Sequence, residues 1–426
     1  MLNDPTMLRF VSAGGLFTLL FIAWALSEDR RGINRRILFW GLGLQFMLGV
    51  LILLTPFGKP FFFAINAGFD AISEGSREGA RFLFGNLTDF FLIPSAQVPG
   101  PNGMETIEGF PMAAVVGFKV LPTIIFVAAL AAVLQYLGIT QRVVGSMAWL
   151  MKRTMGTSGA ETFSAALEVF MGIEAVSTLG SYVQRMTRSE LFTVMTAYLA
   201  TIAGSVMVAY ANFGAEPGHL MAASLMGAPA AIVISKLMLP EREVPDTANK
   251  DIAPDEERAH NIFDAASQGA SLGLMMALHV GAMLIVAIGM IHILDMIATG
   301  VTGVSLTILL GWLFRPFAFI MGVPWADIPE VARLLAVKTF FNEFVAYGDL
   351  QKLIADKTIS PRAITISTYA LCGFANPGSL GIMIGALTAM APDRRADVAG
   401  LALRALIGGT LATFMTACIA GVLVGT

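Results

Sequence analysis

Along this chain, polar residues are confined to short intervals between long apolar runs. Runs at about 7–27, 35–55, 113–137, 189–213, 219–240, 269–298, 362–391 and 396–424 each lie near or above the ~20 helical residues needed to cross a hydrocarbon core. None shows the short alternating segments of a membrane barrel. The pattern predicts an all-α integral membrane fold with about eight transmembrane helices. Two more apolar regions, about 140–187 and about 302–350, are too long for one crossing and have the wrong loop charges for two. Re-entrant hairpins are predicted there, because irregular backbone at membrane depth is tolerated only where it is buried in protein or lines a cavity.

The intervals orient the spans. "SEDRRGINRR", "MKR", "VQRMTR" and "APDRRAD" concentrate basic residues, and the positive-inside bias makes them cytoplasmic, with both termini on the periplasmic or extracellular side. "KPFFFAINAGFDAISEGSREGARFLFG", residues 59–85, alternates apolar and charged groups at helical spacing and reads as an interfacial helix. "PEREVPDTANKDIAPDEERAH", residues 240–260, reads as a solvated cytoplasmic linker. The Ala-Trp-Ala near the start is preceded only by Arg9 as a basic residue, so the first run is read as a retained span.

Within the two hairpin regions a pattern recurs. Glu168 and Glu174 flank Gly172, the expected tip; then Thr187 and Glu190 form a capping box that starts a helix, which Thr201, Gly204 and Ser205 weaken near its middle. In the second region Asn342 and Glu343 lie in an apolar hairpin. Ser360 and Pro361 then start a helix that Asn376, Pro377 and Gly378 must break beside Ser379. A carboxylate-bearing hairpin followed by an interrupted helix, twice and from opposite faces, is the inverted-repeat signature of a secondary transporter with a midplane site. Each buried acid costs about 2.5–3.5 kcal/mol on insertion scales, so such groups mark function by default.

Composition narrows the classes further. The chain is 56% hydrophobic and 13% charged, against roughly 45–50% apolar in soluble domains. A net charge of −3 without a basic stripe gives no reason to expect nucleic acid. Cys372 and Cys418 form no metal or disulfide pattern, and the scattered His219, His260, His279 and His292 with no HExxH motif argue against an enzyme. No cofactor is expected beyond a coupling ion, Na+ or H+.

From about residue 110 onward, "MTRSELFTVMTAYLATIAGSVMVAY", "NIFDAASQGASLGLMMALHVGAML", "GVPWADIPEVARLLAVKTFFNEFVAYGDL" and "ALCGFANPGSLGIMIGAL" resemble the concentrative nucleoside transporter family. The resemblance implies cation-driven nucleoside import by an elevator-like mechanism, and a homotrimer whose scaffold holds a mobile transport domain. The expected division is a scaffold over 1–111 and a transporter core over 112–426 in a bacterial inner membrane. By position, Glu343, Asn376 and Ser379 match the family's ribose-binding residues, Phe374 and Val206 its pocket lining, and Glu174 its base-facing carboxylate. Glu168, Met171, Thr201 and Ile202 match its sodium site, with Glu168 standing where an Asn is usual, so Na+ at Glu168 and Thr201 or a proton on Glu168 are both expected couplings. His279, where the family commonly has Asn, is a further proton-linked candidate. The first tip, Gly172-Ile173-Glu174, is one residue shorter than the family's Gly-Gln-Thr-Glu-Ala-Pro-like motif and lacks its amide and hydroxyl. That departure keeps another polar solute, such as a nucleobase, as an alternative substrate; a cation channel lined by Glu rings is a third reading.

Overall fold

The computed structural model describes residues 4–88, 91–93, 96–100, 103–107, 110–112, 116–172, 175, 179–180, 182–248 and 259–424. Helix α1 (Pro5–Ala25) is capped by the Asp4 carboxylate, which accepts from Thr6 N at 3.0 Å, and α2 (Arg35–Leu53) by Asn34. The amphipathic α3 (Gly58–Phe84) follows, as its charge spacing predicts. Next comes a small ribbon in which β1 (Phe91–Ile93) pairs with β4 (Phe110–Met112) and β2 (Ala96–Gly100) with β3 (Gly103–Ile107), both antiparallel. The ribbon departs from the helix-only expectation, because strands of three to five residues leave no trace in a pattern read at the length of a membrane span.

The rest is helical: α4 (Val116–Tyr136), α5 (Ile139–Met155), α6 (Gly159–Met171), α7 (Tyr182–Arg185), α8 (Arg188–Ala200), α9 (Gly204–Asn212), α10 (Pro217–Met238) and α11 (Ile262–Thr302). Then come α12 (Leu306–Ile320), α13 (Ile328–Phe340), α14 (Glu343–Ala355), α15 (Pro361–Leu371), α16 (Pro377–Met390) and α17 (Arg395–Leu423). Among the described residues seven helices are long and apolar enough to cross a membrane, with α8 and α9 counted as one. The seventh expected span, 362–391, is instead the pair α15 and α16, because Asn376-Pro377 ends one helix and starts another.

Each region expected to hold a hairpin contains a separate helix first, α5 or α12, followed by α6 and the chain up to α7, or by α13 and α14. Glycines at positive φ make the division. Gly156 (φ 75°) ends α5 before the Ser158–Glu161 capping box, and Gly322 (φ 79°) ends the α12 segment where a Cβ would fall 2.1 Å from Ser12 Oγ.

Helices α6 and α13 begin at opposite ends of the bundle. At one end Ser158 Oγ donates to Glu190 at 2.5 Å, and Lys236 Nζ reaches Glu161 at 2.6 Å, Glu241 at 3.2 Å and Ser189 Oγ at 2.9 Å. This cluster ties the starts of α6 and α8 to the end of α10. The same end collects the basic intervals: Glu28 binds Arg188 at 2.8 Å and also Arg404, while Arg394 donates to Met186 O at 2.7 Å. In that loop the amides of Arg31 and Gly32, with Arg242, hold the Asp29 carboxyl below its ordinary range. At the other end Ser360 Oγ donates to Asp327 at 2.5 Å. There the buried Arg362 guanidinium binds the carbonyls of Gly322, Gly421 and Val424.

Two expectations are corrected by the structure. The linker is not wholly solvated: Thr247 is buried, its Oγ1 and O accepting from Ala160 N and Gly159 N at 3.1 Å each. Residues 249–258 lie outside the described residues. Helix α11 is longer than the expected 269–298, since it begins at Ile262, capped by Asn261, and runs on to Thr302, where Gly303 at φ 75° ends it. Helix α1 packs on α17 and α2 on α10. The peripheral unit is the pair α4 and α11, which meet where a Cβ on Gly269 would stand 2.6 Å from Ala132 Cβ and one on Gly273 2.8 Å from Ala128 Cβ. Small residues at that spacing let two helices approach closely in lipid.

Candidate functional site

The two interrupted helices abut at their breaks. Helix α8 ends at Ala200 and α9 begins at Gly204, with Thr201 extended between them; α15 ends at Leu371 and Asn376 caps α16. Gly373 makes the approach possible, as a Cβ there would lie 2.6 Å from Thr413 Cγ2 and 2.9 Å from Leu199 O.

Glu343, at the first position of α14, is buried beside the second break. Its Oε1 accepts from Tyr210 OH at 2.9 Å, and its Oε2 accepts from Asn376 Nδ2. Asn376 also donates to Ser379 Oγ at 3.1 Å and accepts from Ser379 N at 2.9 Å, so one side chain both caps α16 and holds the carboxylate. Phe374, whose carbonyl accepts from Asn376 N at 2.8 Å, turns its ring toward Tyr198 with centroids 5.6 Å apart. Val206 is buried in the first turn of α9, one turn before Tyr210. Glu343, Asn376 and Ser379 are thus joined in one network, with Phe374 and Val206 on the chain segments that border it.

Tyr210 and Tyr347 were not picked out by the sequence. Their rings stack at 4.3 Å, and Tyr347 OH donates to Thr368 O at 2.9 Å. The available signal was position, because Tyr210 falls on the same face of its helix as Val206.

At the first break, main-chain oxygens converge. Thr201 Oγ1 donates to Ala197 O at 2.9 Å and lies 3.5 Å from Glu168 O; the Ser224 hydroxyl donates at a long 3.5 Å toward Val169 O and Ile202 O. Oxygens held about 2.3–2.6 Å from a shared hard cation would stand at about this separation from one another. The Glu168 side chain is fully buried; Oε1 accepts from Ser164 Oγ at 3.0 Å, and Oε2 has no hydrogen-bond partner among the described residues. Met171 ends α6 and packs at the edge of the core, and Ile202 is buried in the break. Ser224 was missed by the sequence reading. Glu174 lies outside the described residues. His279 is on an exposed face of α11 and is not brought to either cluster.

Family models describe most of the chain: "Na+ dependent nucleoside transporter N-terminus" over 14–87, "Nucleoside recognition" over 117–217 and "Na+ dependent nucleoside transporter C-terminus" over 219–421. Mouse (Mus musculus) solute carrier family 28 member 3 is 40% identical over 98% of this chain, and the chain spans 59% of that relative's length. An uncharacterized transporter of Haemophilus influenzae is 38% identical, with 96% of this chain and 97% of the relative covered. The solved structure of CNTnw in an inward-facing substrate-bound state superposes with a TM-score of 0.88 at 36% identity, covering 98% of this chain and 99% of that one.

Proposed function

Because the chain belongs to the concentrative nucleoside transporter family, we propose that it imports nucleosides by sodium symport, with Glu343, Asn376 and Ser379 holding the ribose. The observation that carries the reading is the network of Glu343 with Tyr210 and Asn376 where two broken helices meet. A carboxylate, an amide and two hydroxyls in one place can exchange their mutual bonds for bonds to vicinal hydroxyls of a sugar. Such a site rejects deoxygenated analogues, whose binding leaves buried polar groups unpaired. Phe374 and Val206 line the pocket, and Glu174 faces the base.

Sodium is held by Thr201, the carbonyls of Glu168 and Ile202, and Met171 at the end of α6. The oxygen spacing of 3.5 Å supports this assignment. The unpartnered Oε of Glu168 favours one second reading, proton coupling, since a carboxylate buried this deeply is neutralised either by a cation or by a proton. Only the loaded site hides its charges from lipid, so joint binding of ion and nucleoside is the condition for movement between inward- and outward-facing states.

The hairpins enter the membrane from opposite faces, and the end that carries Arg188, Arg394 and Arg404 is cytoplasmic in a bacterial inner membrane. Both chain ends then face the periplasm. The α4–α11 pair, with α3, is the scaffold through which three copies assemble. Uptake of labelled nucleoside into proteoliposomes tests the reading: accumulation driven by an imposed sodium gradient supports it, and facilitated equilibration without accumulation refutes it.

A further inference from the structure

Lys338 is fully buried in the last turn of α13, and neither the sodium cradle nor the sugar network uses it. Its Nζ donates to Ala370 O at 2.7 Å and Thr413 Oγ1 at 3.0 Å. The Thr413 hydroxyl hydrogen is directed to Thr410 O at 3.0 Å, so toward Lys338 that oxygen is an acceptor. Both partners therefore present lone pairs to an ammonium, and Ala370 is one of the last carbonyls of α15, the negative end of a half-helix.

A comparable set of hydroxyl and carbonyl oxygens occurs in the first repeat. Helices α6, α8, α9 and α10 correspond in order to α13, α15, α16 and α17. A hydroxyl with its hydrogen turned inward to its own helix, Thr201, stands at the end of α8; a hydroxyl on the following long helix, Ser224, completes the group, as Thr413 of α17 does in the second repeat. The last turn of α6 brings Glu168, an anion, where the last turn of α13 brings Lys338, a cation.

We propose that Lys338 is a built-in counterpart of the coupling ion, its ammonium filling in the second repeat the place that sodium fills in the first, and that it thereby limits coupling to one ion per nucleoside. Removing the charge while leaving an oxygen, as in Lys338→Gln, opens a second sodium-dependent position. Lys338→Arg keeps a fixed cation and preserves a single dependence.

This inference rests on the sodium reading above, and the test separates the two. In wild-type proteoliposomes with the membrane potential clamped at zero, a sodium gradient of about tenfold is expected to hold nucleoside at about tenfold accumulation, one ion for each solute. Lys338→Gln should require more sodium for half-maximal nucleoside binding, with a Hill coefficient rising from about 1 toward 2, whereas Lys338→Arg stays near 1. Wild-type accumulation near a hundredfold, or a Lys338→Gln protein that binds nucleoside with an unchanged Hill coefficient, overturns the proposal while leaving sodium symport intact. Should Lys338→Gln fail to fold, the wild-type ratio alone decides. Absence of sodium-driven accumulation in wild type defeats the sodium reading and this proposal with it.

Discussion

The two halves of the site are built from matching elements yet differ in how complete they are. In the second half every charged group has its partners: Glu343 is held by Tyr210 and Asn376, and Lys338 by Ala370 and Thr413. In the first half Glu168 Oε2 has no hydrogen-bond partner among the described residues, and the Thr201 and Ser224 hydroxyls reach the carbonyls of Glu168, Val169 and Ile202 only at a long 3.5 Å. A buried polar group left unmatched costs about 1–3 kcal/mol. On the proposed assignment the first half gains most from an arriving cation, whereas the second trades its existing bonds for those of a solute. Ion dependence and solute recognition would then be separated in space but joined where the two breaks touch.

Substitutions can break or sharpen that contrast. The largest effect is expected from Glu343→Gln. An amide turns an NH2 toward donors already supplied by Asn376 or Tyr210, and nucleoside binding measured by titration calorimetry should fall by about a hundredfold or more. Binding within a few-fold of wild type would remove Glu343 from the sugar site. Tyr210→Phe keeps the stacked ring and deletes one bond to the carboxylate, so affinity should drop by about tenfold at any sodium concentration. Thr201→Val belongs to the other half: half-saturation by sodium should rise by about three- to tenfold, with nucleoside affinity restored once sodium saturates. A loss that sodium cannot restore would show that the halves are not separate. Ser224→Ala, which removes a more peripheral oxygen, should shift the same sodium curve by only about two- to threefold.

Local signals carried most of what the sequence made legible. The capping box of Thr187 and Glu190 is present as read, Ser360 caps α15 with Pro361 behind it, and both helices break at the expected polar residues. Such features depend on residues a few positions apart. What escaped depends on distant neighbours. Gly156 and Gly322 turn the chain inside apolar regions, so α5 and α12 merged with the helices that follow them. Lys236 and Glu161 look like span-flanking charges until folding pairs them at 2.6 Å. That α1 packs on α17 and α2 on α10 is equally invisible to hydropathy, which registers burial in lipid and in protein alike. Lys338 was within reach, because a cation in an apolar hairpin satisfies the same rule that drew attention to the acids.

The most direct test of the account is uptake of labelled uridine and adenosine into proteoliposomes under an imposed sodium or an imposed proton gradient, comparing wild type with Glu168→Gln. Sodium-driven accumulation in both proteins is the predicted result, since the main-chain carbonyl of Glu168 and the Thr201 hydroxyl survive the substitution. Accumulation of neither nucleoside under either gradient, by protein shown to be folded, would contradict cation-coupled nucleoside import.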